Sequence, residues 1–140
     1  MGTVIKKNDL PSIEQVGLGK LIIYCNPEKE LVDTAIPINI LLAKALTGIK
    51  PDRRTMRMER CVQNIMSTLP PNPTIKDFDV MFNPIYEIDV LQIFLSQQRI
   101  RPFRIIWPGK LQDGKLIYAE EGYRDYKVFD INNYDVACVI

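Results

Sequence analysis

The chain reads as an α/β protein built on a mainly parallel sheet, and three stretches say so. Ile75-Lys76-Asp77-Phe78-Asp79-Val80-Met81-Phe82 is rich in apolar residues and fenced by Pro73 before it and Asn83-Pro84 after it. Those breakers give the run the length of a strand rather than a helix, and its apolarity suits a strand covered on both faces, as in a parallel sheet. Glu87 to Gln98 then carries Ile88, Val90, Leu91, Ile93, Phe94 and Leu95, a helix apolar on more than one side. Phe103-Arg104-Ile105-Ile106-Trp107 follows as a second apolar strand. Strand, helix and strand over about thirty residues make a βαβ unit with a right-handed crossover. Its carboxyl ends are where open α/β sheets place ligand sites.

The remaining elements follow in chain order. Ser12 to Val16 suits a short helix ended by Gly17 and Gly19. Lys20-Leu21-Ile22-Ile23-Tyr24-Cys25 is a buried strand. Asn26 as N-cap, Pro27 at the first position and Glu28 and Glu30 in the first turn predict a two-turn helix from Pro27 to Asp33. Ala35 to Asn39 is a short strand, placed at an edge by Pro37. Asn39 is expected to cap a helix over Ile40 to Thr47, stopped by Gly48.

A basic turn, Lys50 to Arg54, leads into a helix from about Thr55 to Leu69 with Met58, Val62, Ile65, Met66 and Leu69 on its apolar face. Pro70-Pro71-Asn72-Pro73 breaks that helix. After Trp107-Pro108-Gly109, Asp113-Gly114 marks a hairpin whose returning strand is Leu116-Ile117-Tyr118. Glu120 to Asp125 is a polar loop, and Tyr126 to Phe129 and Tyr134 to Ile140 are further short strands. The C-terminal third is thus a β-rich extension, and residues 1–140 are read as a single domain.

Composition narrows the function. Net charge is +1, so global charge gives no pull toward nucleic acid or anionic membrane. No apolar run approaches a membrane span, and Met1 to Leu10 lacks a signal-peptide core. Cys25, Cys61 and Cys138 are scattered in apolar runs and read as reduced core residues of a cytoplasmic protein. There is no histidine. That removes the commonest general base, every Ser-His or Cys-His pairing, and any ordinary zinc site.

Two groups of side chains are candidates for chemistry. Asp77 and Asp79 share one face if their strand alternates regularly, and could hold magnesium or orient a water. The bland alternative is a loop cap or an arginine pair. Arg53, Arg57 and Arg60, with Arg54 beside them, form a basic helix face that could meet DNA phosphates or an acidic partner. Its bland alternative is a solvated face. Trp107 and the tyrosines of the C-terminal third are core aromatics, with one or two candidates for interface anchors. The junction after the first long strand has no glycine between Cys25 and Ala35, and G-x-x-x-x-G-K-[ST] occurs nowhere. Glu28 and Glu30 would repel a phosphate there.

Several motifs taken together resemble one family. They are Asp79-Val80-Met81-Phe82-Asn83-Pro84, Ile88 to Phe94, Ile106-Trp107-Pro108-Gly109, and Gly114 through Gly122-Tyr123-Arg124-Asp125-Tyr126, joined by Ile36-Pro37-Ile38-Asn39 upstream. The pattern is similar to that of the small P-loop-containing BrxF proteins of bacteriophage-exclusion (BREX) defence systems. The resemblance implies a three-layer P-loop-NTPase-like sheet, ATP with magnesium as the family's ligand, and defence-system partners such as a large ATPase and a methyltransferase. On the register set by Phe82-Asn83-Pro84, Asp79 matches the family's Walker B glutamate and Lys76 falls on its aspartate. The Walker A loop has no counterpart between Cys25 and Thr34. The expectation is therefore a degenerate nucleotide site on a non-catalytic accessory subunit, needing no cofactor, touching DNA indirectly, and a candidate homo-oligomer. The rival readings are a nucleotide-binding switch using Asp77 or Asp79, and a DNA-binding module using the arginine face.

Overall fold

The computed structural model describes residues 1–9 and 20–140; the helix expected over Ser12 to Val16 lies outside them. Its strands are β1 (Thr3–Ile5), β2 (Leu21–Tyr24), β3 (Ile36–Pro37), β4 (Thr74–Lys76), β5 (Arg104–Ile106), β6 (Lys110–Gln112), β7 (Lys115–Tyr118), β8 (Lys127–Asp130) and β9 (Val136–Val139). Its helices are α1 (Lys29–Thr34), α2 (Asn39–Thr47), α3 (Arg54–Ser67) and α4 (Val90–Ile100).

Six strands form one sheet in the order β1-β9-β2-β5-β4-β3, with every pairing parallel. The other three form a small antiparallel sheet, β6-β7-β8. The fold is thus mixed α/β with a mainly parallel main sheet, as the sequence predicts. β2 is its axis: Ile22 lies opposite both Arg104 of β5 and Ala137 of β9. All four β2 residues are buried, the condition that makes a parallel strand apolar throughout.

Alternation along β2 divides the core in two. Leu21 and Ile23 join Ile75, Ile105 and Cys138 in the larger cluster, packed under the apolar stripes of α2, α3 and α4. Ile22 and Tyr24 join Ile106, Ala137 and Val139 in a smaller cluster on the other face, packed against Leu31 and Val32 of α1. On that face Arg104 Nη1 donates to Tyr24 Oη at 2.9 Å.

Four expectations need correction. Glu28, not Asn26, holds the cap position of α1, and the helix begins at Lys29 and not at Pro27. The strand expected over Ile75 to Phe82 stops at Lys76. Asp77 takes a left-handed backbone (φ 56°), which Asp tolerates better than most residues and which breaks the pleat. Phe78 then drops into the core, fully buried, and residues Asp79–Phe82 wind into a 3-10 turn. Asn39 is not the cap of α2 but its first residue, with Ile38 at the cap position. Tyr134 to Ile140 does not belong to the C-terminal extension: β9 enters the main sheet between β1 and β2.

The two sheets meet through aromatic rings. Trp107 packs edge-on against Phe82 at 5.6 Å and Phe129 at 5.7 Å, an arrangement that suits the ring quadrupoles. Its indole Nε1 donates to the carbonyl of Ile117 at 3.0 Å. Trp107 was a candidate surface contact; at 3% exposure, with its only polar atom bonded inside the fold, it is a structural residue instead.

Candidate functional site

The segment leaving β4 is held from several directions. Asn39 Oδ1 at the start of α2 accepts the Val80 N–H at 3.1 Å, pinning the 3-10 turn to that helix. Asn83 Oδ1 accepts from the Ile85 N–H at 3.1 Å and caps the next short turn, where Pro84 sits at the first position. Glu87 turns the chain with a left-handed φ of 49°. Asp89 then caps α4, its Oδ1 accepting from the Gln92 N–H at 3.1 Å while its Oδ2 accepts from Tyr134 Oη at 2.7 Å.

The hairpin of the small sheet supplies the opposite wall. Asp113 (φ 52°) and Gly114 (φ 72°) make its turn, the left-handed pair such a two-residue connection requires. That register brings Tyr118 at the end of β7 flat onto Phe82, with centroids 3.8 Å apart and planes 8° from parallel. Tyr118 Oη donates to Asp79 Oδ2 at 3.0 Å. Beyond it, the loop through Tyr123, Arg124 and Asp125 folds over the same turn, closed by Tyr126 N–H donating to the Tyr123 carbonyl at 3.2 Å.

Between these walls lies an open groove of about 1110 Å³. Phe82, Tyr118, Val80 and Pro84 line its apolar floor, and Asp79, Glu87, Asp125 and Arg124 its polar edge. Ile85 and Tyr123 stand on its rim, 73% and 66% exposed. Burial pushes the Tyr118 hydroxyl well above the usual tyrosine range, and its bond to Asp79 and the charges of Asp79 and Asp125 push it further. Tyr118 therefore keeps its proton at ordinary pH and acts as a donor, not as a base or nucleophile.

The two predicted carboxylates part company. Asp79 lies in the groove, tied to Tyr118. Asp77 is exposed on the left-handed turn before it and does not line the groove. The left-handed turn at Asp77 breaks the pleat, so the two carboxylates do not share the strand face expected of a paired magnesium site. Lys76, at the expected Walker B position, donates Nζ to the Val32 carbonyl near the end of α1 at 2.6 Å. It thereby satisfies an end-of-helix acceptor.

At the end of β2 the chain passes Cys25, Asn26 and Pro27 to Glu28, which takes the N-cap position of the six-residue α1 without a side-chain cap bond. A hollow of about 320 Å³ there is lined by Lys7, Asn8, Tyr24, Pro27, Glu28, Leu31 and Val139. It offers one lysine and one opposing glutamate. The nearby Cys25 Sγ donates to the Ile23 carbonyl at 3.8 Å, and the neighbouring Cys138 thiol together with burial pushes its pKa far up, so it stays protonated.

Arg53, Arg57 and Arg60 are exposed along α3 and the turn before it, as the helical spacing predicts. Arg54 differs: its Nε donates to the Ile49 carbonyl at 3.1 Å and ties the turn to its own helix. Sequence reasoning missed the groove's other wall. The sequence places Tyr118 on the returning hairpin strand and Tyr123, Arg124 and Asp125 in a polar loop, with the tyrosines as candidate anchors; what it does not state is the hairpin register that brings Tyr118 onto Asp79 and the loop to the same groove. No family model, curated protein or solved structure matches this chain. No helix among the described residues is long and apolar enough to cross a membrane.

Proposed function

We propose that this protein is a non-catalytic accessory subunit that works through protein contacts in a BREX-type anti-phage defence system, on a P-loop-like plan that has lost its nucleotide site. The single observation carrying the loss is the junction between β2 and α1. A phosphate cradle needs turned backbone N–H groups at a helix start, usually freed by glycine. Here the helix is six residues long, Glu28 holds its cap position, and no glycine is present. The plan itself is supported by the all-parallel order, in which the central β2 runs straight on toward a helix. The defence association rests on the sequence resemblance, and a large ATPase or methyltransferase is the partner class it implies. The groove beside Asp79 is the surface best shaped for contact, because it combines an apolar floor with exposed anchors at its rim.

Isothermal titration with ATP and magnesium tests this reading, with no heat of binding as the expected result. Micromolar binding abolished by Asp79→Ala would overturn it in favour of a nucleotide-responsive switch. A second reading has one observation in its favour: Arg53, Arg57 and Arg60 present an exposed basic stripe. Salt-sensitive DNA binding lost in Arg57→Glu/Arg60→Glu would make the chain a direct DNA-binding module instead.

A further inference from the structure

We infer that the groove beside Asp79 receives the arginine-bearing face of α3 from a second copy of this chain, so that copies join head to tail. The inference rests on the groove being a contact surface and names what fills it. Both halves of the contact are present on one chain and share no residue. The groove sets three carboxylates, Asp79, Glu87 and Asp125, against one guanidinium, Arg124, and carries the apolar side chains Ile85 and Tyr123 on its rim.

The α3 face is its complement. Met56, Arg57 and Arg60 fall at positions i, i+1 and i+4 of α3, and Arg53 stands in the turn just before it, three residues ahead of Met56. Met56 is 86% exposed among these arginines. Thioether side chains adapt to irregular apolar surfaces, and guanidinium groups match carboxylates with paired, charge-assisted bonds. Among the described residues the ion pair that forms joins the Met1 amine to Asp135, so folding leaves the three arginines, Glu87 and Asp125 outside any ion pair, while Asp79 is engaged through one oxygen by Tyr118. An isolated exposed ion pair is worth little. Several converging on one apolar anchor make a specific, salt-sensitive contact. Because the two surfaces differ, the contact is heterologous and propagates into a ring or an open chain.

Sedimentation velocity of the full chain at rising concentration tests the inference. In about 0.05 M salt the weight-average sedimentation coefficient should climb with concentration, and in about 0.5 M salt the climb should vanish as screening shortens to a few ångströms. Arg57→Glu/Arg60→Glu and Glu87→Lys/Asp125→Lys should each remain monomeric. Mixed together they should associate again, since each then meets a surface of opposite charge. Circular dichroism confirms folding, and Arg60→Glu and Asp125→Lys as single changes give the same readout should a double variant misfold. A wild-type chain that stays monomeric at every concentration overturns the inference, as does association that survives both variants or a mixture that stays monomeric. A monomer that binds an arginine-bearing peptide also overturns it and assigns the groove to another protein. None of these outcomes depends on nucleotide. Heat from ATP and magnesium would sink the accessory-subunit reading and leave the assembly standing, and a strict monomer would do the reverse.

Discussion

Gly109 and Trp107 show what the Trp-Pro-Gly motif does physically. A Cβ placed on Gly109 would lie 1.9 Å from the Ile117 carbonyl oxygen, the same oxygen that accepts the Trp107 indole N–H. The glycine is required by close approach and not by an unusual φ. It lets β7 come near enough for the indole bond and for Tyr118 to reach Phe82. Gly109→Ala must push the hairpin away, straining backbone and breaking a buried bond together. The expected loss is about 2 kcal/mol or more, read as a lower urea midpoint at an unchanged slope. A variant as stable as wild type would mean the hairpin moves freely on the core. The motif's spelling was legible in the sequence. Its reason was not, because the partner oxygen lies eight residues away on a strand whose register the sequence does not state.

At the scale of elements, the α2 start and the turn after β4 depend on each other. Asn39 reads in sequence as a cap for its own helix, since Asn at such a boundary usually serves the backbone just ahead. It instead spends its carbonyl on Val80, forty-one residues on. The run Ile75 to Phe82 misleads for a related reason. Its apolar residues are all accounted for, but Phe78, Met81 and Phe82 are buried by a 3-10 turn and not by a longer strand. The signal against a strand was the pair of acids, because Asp77 is free to adopt the left-handed backbone that ends it. Asn39→Ala should leave the Val80 N–H without its partner and cost about 1–2 kcal/mol. Because the turn carries Asp79, amide exchange at Val80 to Phe82 should accelerate more than exchange in β2. Equal acceleration everywhere would mean that Asn39 serves global stability and not this turn.

Across the whole molecule, the legible part of the fold was local and the illegible part was long-range. Strands β2 and β5 and helices α3 and α4 announce themselves by period and by their breakers. The place of β9 does not: Val136-Ala137-Cys138-Val139 is as apolar as an edge strand needs, and nothing nearby says that it enters beside β2, over a hundred residues earlier. The same ambiguity hid the candidate groove, whose walls come from segments about forty residues apart. The chain after β5 leaves the main sheet to form β6, β7 and β8 and then returns to it as β9, so the small sheet is closed into the core at both ends. Trp107, the only tryptophan, sits at that closure with Phe78 and Phe82 of the turn after β4 and Phe129 of β8 around it. If the sheets form one cooperative unit, its fluorescence and the far-ultraviolet circular dichroism should trace the same urea transition. An earlier fluorescence transition would show the small sheet detaching first, and the groove would then be a dockable flap and not a fixed surface. Coincidence is the expected result, because detachment must expose Phe82, Trp107 and Phe129 together, at about 1.5–3 kcal/mol for each large apolar side chain.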